Sequence, residues 1–190
     1  MSGLFWESAD IAVRAFEPAD LERVINERHT LNSAKDWYYD EIGLPSSEKS
    51  LREKYDKLLE GNNDSFLFAV YDKNGTYAGE VWVWDTNRRA GVVRQGIFTE
   101  PQFRGRGVAK QALALVLDYY FNELNYRKSA TYVFSFNEPS IRFHDKFGYT
   151  VEGVLKEDIY TRGKYADKLC YALFRDNFNA LHKNLLWENR

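Results

Sequence analysis

Apolar residues along this chain change period several times, and each change marks a new element. Residues 11–16 (Ile-Ala-Val-Arg-Ala-Phe) alternate weakly, as a short strand does, and Pro18-Ala19-Asp20-Leu21-Glu22 then opens a helix with acids in its first turn. Ser46 or Ser47 suits the cap of a second helix reaching about residue 60, where Gly61-Asn62-Asn63-Asp64-Ser65 supplies strong turn chemistry. Residues 66–71, 77–84 and 92–98 are aromatic and β-branched, and Asp72-Lys73-Asn74-Gly75 is a hairpin signal, so three antiparallel strands are expected. Residues 108–121 are helix formers and apolar around most of their circumference, which predicts a helix covered by sheet or chain. A strand at 130–136, a short helix at 138–147 stopped by Gly148, and strands near 150–155 and 168–174 complete the pattern, with 177–190 as an accessory helix. This mixed α/β order shows no repeat and no dividing linker, so residues 1–190 read as a single domain.

Composition narrows the class. A chain of 190 residues with 44% hydrophobic and 16% aromatic content can form one substantial core. Its net charge of -2, from 26 basic and 28 acidic residues, gives no general attraction to polyanions, so no nucleic-acid partner is expected. Cys170 is the single cysteine and lies in an apolar setting; it excludes an internal disulfide, offers no metal-ligand cluster and fits a reducing compartment. No apolar run approaches the roughly 20 residues that span a bilayer. Met1-Ser2-Gly3-Leu4-Phe5-Trp6-Glu7 also lacks the basic start and apolar stretch of a secretory signal, so the expectation is a soluble cytoplasmic protein with no membrane partner.

The most informative stretch runs from Arg94 to Lys110, where a strand ends, a turn follows and a buried helix begins. Gly105 and Gly107 allow a tight turn and let main-chain N–H groups approach a ligand, while the helix start adds unpaired donors and partial positive charge. Arg104 and Arg106 add formal charge suited to phosphate oxygens, so the loop reads as an anion cradle. A Walker A loop would need Gly-Lys-Ser/Thr after four spacer residues, and that is absent. A Rossmann fingerprint would place a third glycine or alanine where Lys110 stands and an acid near Phe136-Asn137.

Gln102-Phe103-Arg104-Gly105-Arg106-Gly107-Val108-Ala109 resembles the Gln/Arg-x-x-Gly-x-Gly/Ala acetyl-CoA signature of the GNAT superfamily of N-acetyltransferases. Downstream, Asn137-Glu138-Pro139-Ser140-Ile141-Arg142-Phe143-His144-Asp145-Lys146-Phe147-Gly148-Tyr149 resembles the family's second motif, an asparagine, a short helix and a Gly-aromatic stop. The resemblance implies a single-domain GNAT fold of the α/β (α+β) class, with a mixed, mostly antiparallel twisted sheet of about seven strands, splayed in the middle and flanked by about four helices. It implies acetyl-CoA as cosubstrate, with Arg104, Gly105, Arg106, Gly107, Val108, Ala109 and Lys110 at its pyrophosphate. Main-chain groups of Ile97, Phe98 and Thr99 would follow the pantetheine and thioester, and Asn137 and Ser140 would join from the second motif. Asn137 equally suits a helix cap, and Gly96 suits either close packing or a bulge that helps splay the strand.

Acetyl transfer to an amine needs a neutral amine, placement, stabilisation of an oxyanion and protonation of the leaving thiolate. Many family members carry a tyrosine acid where this chain has His144, a residue that titrates near neutrality and could be acid or base. Glu80 and Asp85, on or just after a strand, are candidate bases acting through water, and both also read as solvated sheet residues. The segment 32–45 contains Trp37, Tyr38, Asp40 and Glu41, whose carboxylates and aromatic faces suit a cationic amine. Together with Arg88-Arg89-Ala90 and residues 160–165 it is similar to the branch holding spermidine and ribosomal-protein alanine N-acetyltransferases. The expected activity is acetylation of a primary amine on a small molecule, a polyamine or amino-sugar. The alternatives are a protein N-terminus as acceptor, or a CoA-binding sensor without chemistry. Tyr171 to Phe178 offers an aromatic face for a homodimer.

Overall fold

The computed structural model describes residues 5–27, 47–60, 64–161 and 163–187. In chain order these form β1 (Phe5–Glu7), β2 (Ile11–Ala15), α1 (Pro18–Glu27), α2 (Glu48–Leu59), β3 (Phe66–Asp72), β4 (Tyr77–Asn87), β5 (Val92–Thr99), α3 (Val108–Asp118), β6 (Lys128–Phe134), α4 (Glu138–Phe147), β7 (Thr150–Thr161), β8 (Lys164–Phe174) and α5 (Arg175–Trp187). The eight strands make one sheet in the order β1-β2-β3-β4-β5-β6-β8-β7. Neighbours are antiparallel except β5 and β6, which are parallel because α3 carries the chain back between them.

Alternation along the strands sorts side chains onto the two faces of that sheet. On one face Ile11, Val13, Val70, Val81, Val83 and Val93 meet Leu113, Val116 and Leu117 of α3, Phe147 of α4 and Phe178 of α5. On the other, Leu67, Ala69 and Tyr77 meet Leu21, Val24 and Ile25 of α1 and Tyr55 of α2. The wide apolar circumference of α3 follows from its place between sheet and α5, and it ends in a single π turn, Tyr119–Glu123, that keeps Tyr120 and Phe121 in the core.

Sequence and structure differ at several boundaries. Among the described residues the sheet has eight strands, against about seven expected, because β1 is three residues long, too short for a period to register. β7 and β8 form a long hairpin instead of the two short strands at 150–155 and 168–174, β6 lies two residues earlier than 130–136, and α5 begins at Arg175. Five α-helices occur among the described residues. None is long and apolar enough to cross a membrane.

What positions the site is the parting of β5 from β6. Their pairing covers only Val92↔Lys128, Val93↔Ser129 and Arg94↔Ala130, after which β5 continues to Thr99 and β6 to Phe134 without a shared ladder. Gly96 is not a bulge in the β4–β5 ladder: register runs unbroken through Trp82↔Gly96, and the irregularity falls between Trp84 and Asn87. Glycine is required there by packing, since a Cβ would come 2.2 Å from the Trp82 indole.

Candidate active site

A cleft of about 780 Å³ opens where the two strands diverge. One wall is the end of β5 (Ile97, Phe98, Thr99), another is the start of α4 (Asn137, Pro139, Ser140, Phe143) with Phe136, and a third is formed by Phe103, Arg104, Gly105, Gly107, Val108, Ala109 and Lys110. Thr161 and Lys164 reach it from the β7–β8 hairpin.

Backbone conformation dictates the glycines of the loop. Gly105 and Gly107 have φ of +74° and +80°, a region that costs an L side chain about 1–2 kcal/mol. A Cβ at Gly105 would touch nothing within 4 Å, so conformation, not crowding, selects glycine there. Gly107 is the N-cap of α3, and the first ladder bond runs from the Gln111 N–H to the Gly107 carbonyl at 3.1 Å. The N–H groups of Val108, Ala109 and Lys110 precede that bond and face out of the helix end, where the helix dipole also favours an anion. This donor set suits a diphosphate. Arg104 donates through Nε to the Thr99 carbonyl at 3.0 Å, tying the loop to the end of β5 while its side chain lines the cleft. Arg106 is exposed, with its guanidinium 5.9 Å from the Phe103 ring, and does not line the cleft.

Asn137 is both a helix cap and a cleft-lining residue. Its side chain caps α4 by accepting from the Ser140 N–H at 3.3 Å, and it lines the cleft beside Ser140.

Glu80 occupies the opposite face of the sheet, 1% exposed, as the register partner of Phe98 on the cleft wall. It is not a solvated residue: the Tyr77 hydroxyl donates to Oε2 at 2.8 Å and the Tyr55 hydroxyl to Oε1 at 3.3 Å. Beside it Gly79, at φ +152°, lets β4 press against β5 so closely that a Cβ would fall 2.1 Å from the Phe98 oxygen. Asp85 is exposed and paired with Arg94 at 2.6 Å, outside the cleft.

His144 does not line the cleft. It is 4% exposed, packed on Phe143, Tyr149 and Tyr171, and burial pushes its pKa down to about 4. Nδ1 lies 2.8 Å from the Ser140 carbonyl, which can only accept, so Nδ1 carries the proton.

A family model for the acetyltransferase (GNAT) domain matches residues 10–150, which include the splayed strands, the glycine loop and α4. The chain belongs to the GNAT family. Among relatives of this acetyltransferase, the SPbeta prophage-derived uncharacterized N-acetyltransferase YokL of Bacillus subtilis (strain 168) is 32% identical over 182 residues, covering 96% of this chain and 99% of that one. Spermidine N(1)-acetyltransferase of Escherichia coli (strain K12) is 26% identical, covering 91% of this chain and 90% of its own length. The solved structure of spermidine N-acetyltransferase from Vibrio cholerae in complex with CoA and spermine superposes with a TM-score of 0.77 at 26% identity, over 88% of this chain and 97% of that one.

In this GNAT enzyme the structure brings together all the sequence-named cofactor residues except Arg106 along one cleft. Trp37, Tyr38, Asp40 and Glu41 lie outside the described residues. Sequence reasoning drew residues 160–165 only into the likeness to the spermidine and ribosomal-protein branch and did not place Thr161 and Lys164 in the cleft, because the predicted strands stopped short of their hairpin. The available signal was Gly163, which has φ +81° beside the closing pair Thr161↔Lys164. Phe103, Phe136 and Phe143 were also missed as cleft residues; each reads as ordinary core in a pattern.

Proposed function

We propose that this GNAT enzyme transfers the acetyl group of acetyl-CoA to a primary amine on a small cationic molecule, with a polyamine as the first candidate and an amino-sugar as the second. The single observation that supports this is the parting of β5 from β6. It leaves the main chain of Ile97, Phe98 and Thr99 without strand partners on the β6 side, beside a glycine loop suited to a diphosphate. Acetyl-CoA would supply an activated thioester at such a site. The loop amides and Arg104 hold its anionic end, and main-chain groups of residues 97–99 orient the remainder and offer an oxyanion donor. Glu80 accepts the ammonium proton, directly or through water, from the acceptor side of the sheet; the amine nitrogen bonds to the acyl carbon as the C–S bond breaks, and the departing thiolate takes its proton from water.

A cationic acceptor is favoured by the carboxylates and aromatic rings of Trp37, Tyr38, Asp40 and Glu41, and by relatives named for spermidine. The test is incubation with acetyl-CoA and a panel of polyamines, amino-sugars, amino acids and peptide N-termini, read by mass spectrometry for added acetyl groups. Modification of polyamines above all others is expected. Preferential modification of peptide N-termini would overturn the small-amine assignment, and acetyl-CoA binding with no turnover on any member would overturn acetyl transfer.

A further inference from the structure

Behind the closed end of the cleft lies a buried polar chain that the loop and the acceptor side leave unexplained. The β5–β6 ladder stops at Arg94↔Ala130. The next residue of β5, Gln95, is 0% exposed and turns its amide into the core between β5 and α4. Its Nε2 donates to the Tyr149 hydroxyl at 3.2 Å and lies 3.3 Å from His144 Nε2. The Tyr149 hydroxyl is 2.7 Å from Ser129 Oγ on β6. Because Nδ1 of His144 is committed to the Ser140 carbonyl, Nε2 presents a lone pair, and Gln95 is the donor to it. Ser140 itself lines the cleft. One continuous series therefore runs from the cleft wall through His144 and Gln95 to Tyr149 and β6, at the level where the strands lose their backbone ladder.

This chain of groups sits in an otherwise apolar layer of Val93, Leu117 and Val133, where aliphatic side chains would fill the same space. Gln95 Oε1 has no hydrogen-bond partner among the described residues, so the arrangement retains a buried polar cost. Buried networks of this kind act by fixing one geometry, since any shift breaks bonds that water cannot replace.

We propose that Gln95, His144, Tyr149 and Ser129 form a strut that sets the separation of β5, β6 and α4 at the closed end of the cleft. In it His144 is a neutral positioning residue for the acyl end of the donor, not a proton donor. The proposal rests on the acetyl-transfer reading. Around His144 burial outweighs the nearby Asp145 carboxylate, so the ring is neutral near pH 7. Tyr149 and Tyr171 pack on it, and Asp145, on the same helix, is engaged by the Tyr171 hydroxyl at 3.0 Å.

The first test is the imidazole nitrogen NMR of His144 in the whole protein from pH 5.5 to 8. A single neutral Nδ1–H tautomer is expected throughout, and titration within that window overturns the proposal. This result does not depend on turnover, so loss of the acetyl-transfer reading and loss of the strut are separable. The second test is kinetic. Gln95→Leu is expected to lower kcat at least tenfold while calorimetric affinity for CoA, set at the loop, changes less than threefold. His144→Gln, which restores an acceptor near the Nε2 position, should lose less activity than His144→Phe, and neither should move the pH at which the rate is half-maximal. If Gln95→Leu does not fold, Ser129→Ala, which removes one hydroxyl, takes its place with the same expected split. Unchanged kcat in the folded variant, or loss of a pH limb on replacing His144, overturns the strut.

Discussion

A histidine held among three aromatic rings stays neutral when burial outweighs the pull of a nearby carboxylate, here Asp145, and that neutrality has a thermodynamic sign. The ordinary value near 6.5 falls to about 4 for His144 in the folded protein, chiefly through burial. The unfolded chain therefore binds a proton that the folded chain refuses between those values. Stability from this site is fully present above about pH 6.5 and is lost as pH falls toward 4, by about 3 kcal/mol at most. His182, also lowered by burial, acts in the same direction. Urea denaturation from pH 7 to pH 4.5 should show a steeper loss in the wild type than in His144→Gln, and parallel curves would count against a buried neutral imidazole. Glu80 carries a different expectation. Glu80→Gln keeps an acceptor for Tyr55 or Tyr77 while removing the charge, so kcat should fall about 10²–10⁴-fold if Glu80 takes the amine proton. Calorimetric CoA affinity should hardly move; a near-normal kcat would leave the two tyrosines and Glu80 a structural cluster.

At the scale of elements, the loop and the start of α3 work as one unit. The left-handed φ of Gly105 and Gly107 turns the chain sharply, and the unbonded amides of the first helical turn complete the cradle. Gly107→Glu introduces bulk, negative charge and a strained φ together. CoA binding by calorimetry should fall by at least 100-fold, with melting temperature lowered by a few degrees, and retained affinity would remove the loop from the binding site. These residues were legible in the sequence because a turn needing glycine, followed at once by a helix, leaves a local signature. The hairpin carrying Thr161 and Lys164 was not: β7 is an edge strand whose residues are largely exposed, so no apolar alternation announced its length.

Across the whole molecule, the sheet is closed as a ladder from β1 to β5 and again from β6 to β7, with the two parts joined by three residue pairs. A ligand seated between them would bridge both parts and stabilise the native state by mass action. At about 100 times its Kd, CoA should contribute about 2.7 kcal/mol, a rise in melting temperature of about 5–10 °C for a chain of this size. Gly107→Glu should show no such rise at the same CoA concentration, and an equal rise in both proteins would place the ligand elsewhere.

By itself the sequence determined what depends on neighbours along the chain: the order of elements, the glycine loop, the Asn137 cap and the family. Each is fixed by period, φ or hydrogen bonds within a few residues. Only the tertiary structure decided the surroundings of Gly96, Glu80 and His144. Whether a glycine bulges or yields to Trp82, a carboxylate meets solvent or two tyrosines, and an imidazole reaches a cleft or the core depends on side chains distant in sequence. His144 occupies the family's tyrosine position by spacing, but the Ser140 carbonyl and Gln95 hold its ring inside.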